Sequence, residues 1–220
     1  MKYIILIPAY EPDNKLLDLL KEINHKYEVI VVDDGSTNKE IINESKNYAY
    51  TISYDNNMGK GYALKTGFEY IKANYEDYVV VTMDADGQHD LGDAINLCDY
   101  ASKHLDELVL GRRHWDKTMP LSNRLGNKIT RNIFKKKTGL SIYDTQSGLR
   151  AFSYKLMDYM LSISGNRYEY EMNMLLYLNK NNINFHEIDI KTIYIGDNSS
   201  SHFKSIRDSY RIYKEIAKYK

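Results

Sequence analysis

The sequence predicts an α/β protein built on a mostly parallel, doubly wound sheet with helices on both faces. Two observations carry this expectation. Strand-length apolar runs alternate with helical patterns through the first half of the chain, and polar or acidic clusters follow directly on several of those runs.

Residues 3–7 are a continuous apolar run closed by Pro8, as in a strand buried on both faces. Asp13 can cap a helix carrying Leu16, Leu17, Leu19, Leu20 and Ile23, and residues 28–32 form the next buried strand. A short helix over 38–47, a strand over 50–54 and a helix over 61–73 follow, the last with Ala63, Leu64, Phe68 and Ile71 inward. Residues 79–83 make a fourth strand, 91–104 a helix capped by Asp90, and 107–110 a fifth strand. Beyond this point residues 121–137 read as helix, 138–152 as a loop-rich segment and 170–181 as helix. Residues 185–191 alternate apolar and charged side chains like a half-exposed strand, and an amphipathic helix runs from about 205 to 220. No Pro/Gly/Ser-rich linker or internal repeat divides the chain, so residues 1–220 are expected to form a single domain.

Composition narrows the class of protein. The 30 basic and 30 acidic side chains of the 220 residues cancel, which leaves no global field to attract nucleic acid. A single cysteine, Cys98, rules out a disulfide framework and suits a reducing compartment. The longest apolar stretches are strand-length rather than bilayer-length, and Met1-Lys2 leads straight into the first strand without a signal peptide. A soluble, cytoplasmic protein is expected, with the inner membrane face as a peripheral location. The 21 tyrosines read as compositional bias.

Ligands of open parallel sheets bind beyond the C-terminal ends of the strands. Three polar clusters fall there: Pro8-Ala9-Tyr10-Glu11, Asp33-Asp34-Gly35-Ser36 and Asp84-Ala85-Asp86-Gly87-Gln88. An acidic residue after a strand is also an ordinary turn former, so each alone is weak evidence. Three at one sheet edge are much less easily accidental. Asp84 and Asp86 are hard oxygen donors suited to a divalent cation held against a phosphate. A fourth cluster, Asn56-Asn57-Met58-Gly59-Lys60-Gly61, opens a helix, where glycines allow close backbone approach and the helix end favours an anion. It lacks the spacing of a P-loop.

In this order, Pro8-Ala-Tyr-Glu11, Val31-Val-Asp-Asp-Gly-Ser36, Asn57-x-Gly-Lys-Gly-x-Ala63 and Met83-Asp-Ala-Asp-Gly-Gln88 resemble the family 2 glycosyltransferases. Asp144-Thr-Gln-Ser-Gly-Leu-Arg150 is similar to a segment of the polyprenyl-phosphate, dolichyl-phosphate-mannose synthase-like branch. The resemblance covers residues 3–152 strongly and the rest more loosely. It implies a GT-A fold, Rossmann-like, with a nucleotide-sugar half over about 1–110 and an acceptor half over about 111–220. It implies that Pro8, Ala9, Tyr10 and Glu11 line the nucleoside pocket, that Asp34 reads the base edge, and that Lys60 lies near the base or diphosphate. Asp84, Ala85 and Asp86 would meet the donor. Asp84, Asp86 and Gln88 would form the metal set for Mn²⁺ or Mg²⁺, with Asp86 the direct ligand. His202 lies in about the region where GT-A enzymes complete that set; read from the residues alone, a lone histidine is more often a surface or core residue than a ligand.

The acceptor side is basic. Residues 111–137 hold nine Lys or Arg against one acidic residue, Asp116. Arg124, Lys128, Arg131 and Lys135 form one helical stripe beside Leu125, Ile129 and Ile133. This is either a solvated face or a shelf for a phosphate-bearing acceptor or an anionic membrane. Arg112 or Arg113, with Arg124, is the expected acceptor-phosphate contact. Asp144 matches the place of the general base in family members that glycosylate hydroxyls, and otherwise orients Arg150 or its loop. Glu169 and Glu171 form a reserve pair for which capping is the simpler role.

These readings converge on a metal-dependent, inverting transfer of a hexosyl unit from a UDP- or GDP-sugar to polyprenyl phosphate. The alternative acceptor is a glycan or protein hydroxyl with Asp144 as base. A nucleotidyltransferase would carry a Gly-rich loop after the first strand, where this chain has Pro8-Ala-Tyr-Glu11, and a non-catalytic module using Asp33 and Asp34 would leave Asp84, Asp86 and Gln88 without a role.

Overall fold

The computed structural model describes residues 1–114, 121–193 and 205–219, without the side chains of 121–125 and 205–206. The apolar runs assemble as β1 (Lys2–Ala9), β2 (Glu28–Asp33), β3 (Tyr50–Ser53), β4 (Tyr78–Thr82), β5 (Glu107–Arg113), β6 (Arg150–Ser153) and β7 (Asn184–Ile190). They form one sheet in the order β3-β2-β1-β4-β6-β5-β7. Every pairing is parallel except those of β6, which runs antiparallel between β4 and β5 with Ala151 opposite both Val81 and Val109. The segment expected to be loop-rich therefore ends in a strand.

Helices α1 (Asn14–Ile23), α2 (Glu40–Ser45) and α4 (Leu91–Ala101) cover one face; α3 (Lys60–Asn74), α5 (Leu121–Thr138), α6 (Met157–Ser162), α7 (Glu169–Leu176) and α8 (Ser205–Lys218) lie on the other. The pleat explains the division. Ile4, Leu6, Ile30, Val32 and Val80 join Phe68, Phe134 and Phe152 in one core, while Ile5, Ile7, Val31, Val79 and Val81 join Leu16, Leu20, Leu97 and Cys98 in the other. Side-chain caps set the entry of two helices: Asp13 accepts from the Lys15 amide at 3.0 Å and Asp90 from the Asp93 amide at 3.1 Å.

Among the described side chains of α5 the buried ones are Asn127, Thr130, Phe134 and Thr138, whereas Ile129 and Ile133 are 44% and 38% exposed. Helix α8 lies against α5 and α7, with Ile216 buried and the Tyr213 hydroxyl 3.0 Å from Thr130 Oγ1. Among the described residues no helix is long and apolar enough to cross a membrane.

Candidate active site

The chain runs outward from β1 through β2 to β3, then crosses to the other side of β1 for β4. A crevice opens beyond the C-terminal ends of strands at such a reversal. Here it is a cavity of about 600 Å³, whose walls include the Pro8–Asp13 segment that ends β1 and continues beyond it, Asp34 after β2, and Asp84, Ala85 and Asp86 after β4. Asn57, Gly59 and Lys60 at the start of α3 complete that side. The structure thus brings together the three strand-end clusters and the Gly-rich turn.

Lys60 is held between two carboxylates, with Nζ 2.7 Å from Asp84 Oδ1 and 3.0 Å from Glu171 Oε1. Burial alone pulls its pKa down, but those two charges outweigh it and hold the ammonium protonated. Burial likewise pushes Asp84 up, yet Lys60, His89 and Arg113 bring its pKa to about 2. Asp86 differs. Burial and the neighbouring Asp84 charge push it up to about 6, and it accepts the Gln88 amide at 3.1 Å. His89, buried behind the pair, is lowered to about 4 mainly by burial, so its neutral ring accepts the Asp84 amide at Nδ1 (3.1 Å).

Asp34 lines the cavity, and its carboxylate also organises the opposing turn. It accepts from the Tyr54 hydroxyl (2.8 Å) and from the amides of Met58 (2.8 Å) and Gly59 (2.9 Å to Oδ2). Glu11 joins the β1 and β2 loops: its amide donates to Ser36 Oγ at 2.8 Å, and its carboxylate accepts from the Thr37 amide and hydroxyl. Both acidic residues therefore shape the pocket through the backbone.

Arg112 and Arg113 point to opposite faces of β5, as alternation requires. Arg112 donates to Asp189 on β7 at 2.5 Å. Arg113 grips Asp144 through Nε (2.7 Å to Oδ2) and Nη2 (3.2 Å to Oδ1), and the Gln146 amide donates to the same carboxylate at 3.0 Å. Asp144 thus orients Arg113. Arg150 is directed elsewhere, to the carbonyls of Ser147 and Glu171. The side chain of Arg124 and the whole of His202 lie outside the described residues.

A divalent metal suits this donor set in kind. Asp84 and Asp86 present carboxylate oxygens and Gln88 adds an amide, all hard ligands for Mg²⁺ or Mn²⁺. Asp86 is the better placed of the two acids, because Lys60 already neutralises Asp84. Among the described residues no group of three or more His, Cys, Asp or Glu is gathered around one point.

Sequence reasoning missed several walls of the cavity. Arg167 and Tyr168, from the segment before α7, and Arg207, Asp208 and Arg211, from α8, line it as well. Arg167 donates to the Asn57 side chain at 2.8 Å, and Gly59 permits that contact: a Cβ there would lie 2.4 Å from Arg167 Cγ, and its φ of +106° is in any case a conformation open mainly to glycine. Glu169 accepts the Asn166 and Arg167 amides, which precede α7 and so order the segment before it rather than cap the helix, while Glu171 reaches Lys60. The only local signal for any of these was the pair of acids at 169 and 171.

The family model described as glycosyl transferase family 2 matches residues 4–169. A UDP-N-acetylglucosamine–dolichyl-phosphate N-acetylglucosaminyltransferase of Methanococcus voltae is 32% identical over 216 residues, covering 86% of this chain and 85% of that protein. An undecaprenyl-phosphate 4-deoxy-4-formamido-L-arabinose transferase of Photorhabdus laumondii is 29% identical, over 73% of this chain and 51% of its own length. Glucosyl-3-phosphoglycerate synthase from Mycobacterium tuberculosis, solved with Mn²⁺, UDP and glucosyl-3-phosphoglycerate, superposes with a TM-score of 0.63. It is 19% identical and covers 90% of this chain and 74% of that one.

Proposed function

Because the chain belongs to glycosyl transferase family 2, we propose that it moves a hexosyl unit from a UDP- or GDP-sugar to polyprenyl phosphate. The transfer is a single displacement that inverts the anomeric carbon. The observation that carries this reading is the placement of Asp84 and Asp86 in a cavity of about 600 Å³ beyond the C-terminal ends of β1, β2 and β4.

In this reading Pro8, Ala9, Tyr10 and Glu11 form one wall of the nucleoside pocket, and the turn held by Asp34 forms the other. Lys60 keeps Asp84 ionised and fixed. Asp86, with Asp84, Gln88 and His202, would hold Mn²⁺ or Mg²⁺, which when bound supplies positive charge beside the departing diphosphate. A phosphate acceptor is an anion at neutral pH, so it needs positioning rather than deprotonation. Asp144 suits that demand. Its carboxylate is occupied by Arg113 and Gln146, and Arg113, held in place by Asp144, would meet the acceptor phosphate together with Arg124. The names of the M. voltae and P. laumondii relatives, a dolichyl-phosphate and an undecaprenyl-phosphate transferase, support the same acceptor class. The exposed Ile129 and Ile133 beside Lys128 and Lys136 on α5 suit a peripheral position at the inner face of the membrane that holds such a lipid.

Thermal melts with UDP or GDP test the donor half of this reading. Stabilisation is expected only with Mn²⁺ or Mg²⁺, and is expected to vanish with EDTA and in Asp86→Ala. Absence of any metal-dependent nucleotide binding by the wild-type chain would overturn it.

A further inference from the structure

We propose that Arg207 and Arg211, on successive turns of α8, clamp the diphosphate of the nucleotide-sugar donor. The inference rests on the donor reading above and adds two residues from a helix far in sequence from the Asp84-Ala-Asp86 segment. Both arginines line the same cavity as Asp84 and Asp86. Four residues apart, they lie on one face of the helix, with side chains close enough to meet one ligand from two sides.

The charge balance of the cavity calls for such a pair. Asp84 and Asp86 repel a diphosphate, and the other two basic side chains lining the cavity, Lys60 and Arg167, are committed. Lys60 is shared between Asp84 and Glu171, and Arg167 is directed to the Asn57 side chain and carbonyl. Arg211 Nη1 lies 3.6 Å from Asp208 Oδ1, a buried carboxylate that steadies the guanidinium without enclosing it. No carboxylate among the described residues pairs with Arg207. Guanidinium groups donate several N–H bonds in a planar fork that matches phosphate oxygens, which makes an arginine pair well suited to a diphosphate.

The helix is anchored where this role requires. Ile216 is buried, the Tyr213 hydroxyl meets Thr130 on α5, and Lys137 donates to the Ala217 carbonyl at 3.4 Å. The following half of α8 is thus docked, while the half carrying Arg207 and Arg211 borders the cavity. Neither substitution removes an anchoring contact.

Calorimetric titration of the 220-residue chain with UDP and GDP in the presence of Mn²⁺ tests the clamp, with free uridine and guanosine as ligands lacking phosphate. Arg207→Ala and Arg211→Ala are each expected to weaken nucleoside diphosphate binding about tenfold, roughly 1.4 kcal/mol. The double variant is expected to lose more, Arg→Lys to recover part of the loss, and nucleoside binding to stay unchanged. Wild-type diphosphate affinity in the double variant would overturn the clamp. So would equal weakening of nucleoside and diphosphate binding. If the wild-type chain binds neither UDP nor GDP, the donor reading itself fails and the clamp with it.

Discussion

Gly148 lies directly against the Asp84 carboxylate: a Cβ at position 148 would fall 2.7 Å from Asp84 Oδ2 and 3.1 Å from Lys60 Nζ. The Gly148 carbonyl also accepts the Thr82 hydroxyl at 2.7 Å, which locks the loop before β6 onto the end of β4. The glycine in the Ser-Gly-Leu-Arg segment is therefore a packing requirement of the carboxylate site. Gly148→Ala is expected to displace Asp84 or Lys60 and to weaken metal-dependent UDP or GDP binding by at least about tenfold. Its cost in overall stability should be modest, about 1 kcal/mol. Paired titrations and thermal melts of wild type and variant check both parts.

The Arg113–Asp144 pair yields a second expectation. Arg113→Ala leaves a buried carboxylate without its cation, a change that costs about 3 kcal/mol or more. Asp144→Asn keeps an oxygen for the Gln146 amide and should be milder in a denaturant titration. If Asp144 only positions Arg113, Asp144→Asn raises the KM for the acceptor phosphate more than it lowers kcat. A large fall in kcat at unchanged KM would identify Asp144 as a base instead.

His89 introduces a pH dependence of stability. Its folded-state pKa, about 4, lies below the ordinary value of 6.5 because burial disfavours the imidazolium. The unfolded chain therefore binds the proton first as pH falls. The His89 contribution is complete above pH 6.5 and is lost progressively between 6.5 and 4, with a span of about 3 kcal/mol. Asp86, raised from 3.8 to about 6, acts in the opposite direction over an overlapping range. Comparing urea melts of wild type and His89→Gln at pH 7 and pH 5 isolates the histidine. The wild type should lose more stability on acidification than the variant.

Much of this arrangement was legible in the sequence, for reasons of period and position. Strands β1 to β5 and the helices between them are strongly patterned, and Asp84-Ala-Asp86 follows closely on the apolar run Val79-Val80-Val81. Strand β6 was not legible. It has four residues, begins with the buried Arg150, and is defined by pairing with β4 and β5 rather than by alternation. Glu171 could be seen but not its partner, because Lys60 meets it across more than a hundred residues of chain. Arg167, Arg207 and Arg211 reach the cavity through the packing of α7 and α8. A helical pattern identifies α8 as amphipathic but does not say which of its polar residues will face a cavity and which will face water.

The outward face of α5 should matter only where the acceptor sits in a bilayer. Ile129→Ser combined with Ile133→Ser removes two exposed apolar side chains without touching the cavity lining. Turnover of undecaprenyl phosphate in anionic vesicles is expected to fall severalfold, and turnover of a short, water-soluble prenyl phosphate to stay near wild type. Equal rates on both acceptors would detach α5 from the membrane.

The central claim is that the sugar is delivered to a lipid phosphate. Incubation of the chain with labelled UDP- and GDP-hexoses, Mn²⁺ and undecaprenyl phosphate, followed by organic extraction, measures this directly. Label is expected in the extracted lipid, released by mild acid as free sugar and absent with Asp86→Ala. Label passing only to free glycans or protein hydroxyls, with none in the lipid, would contradict it.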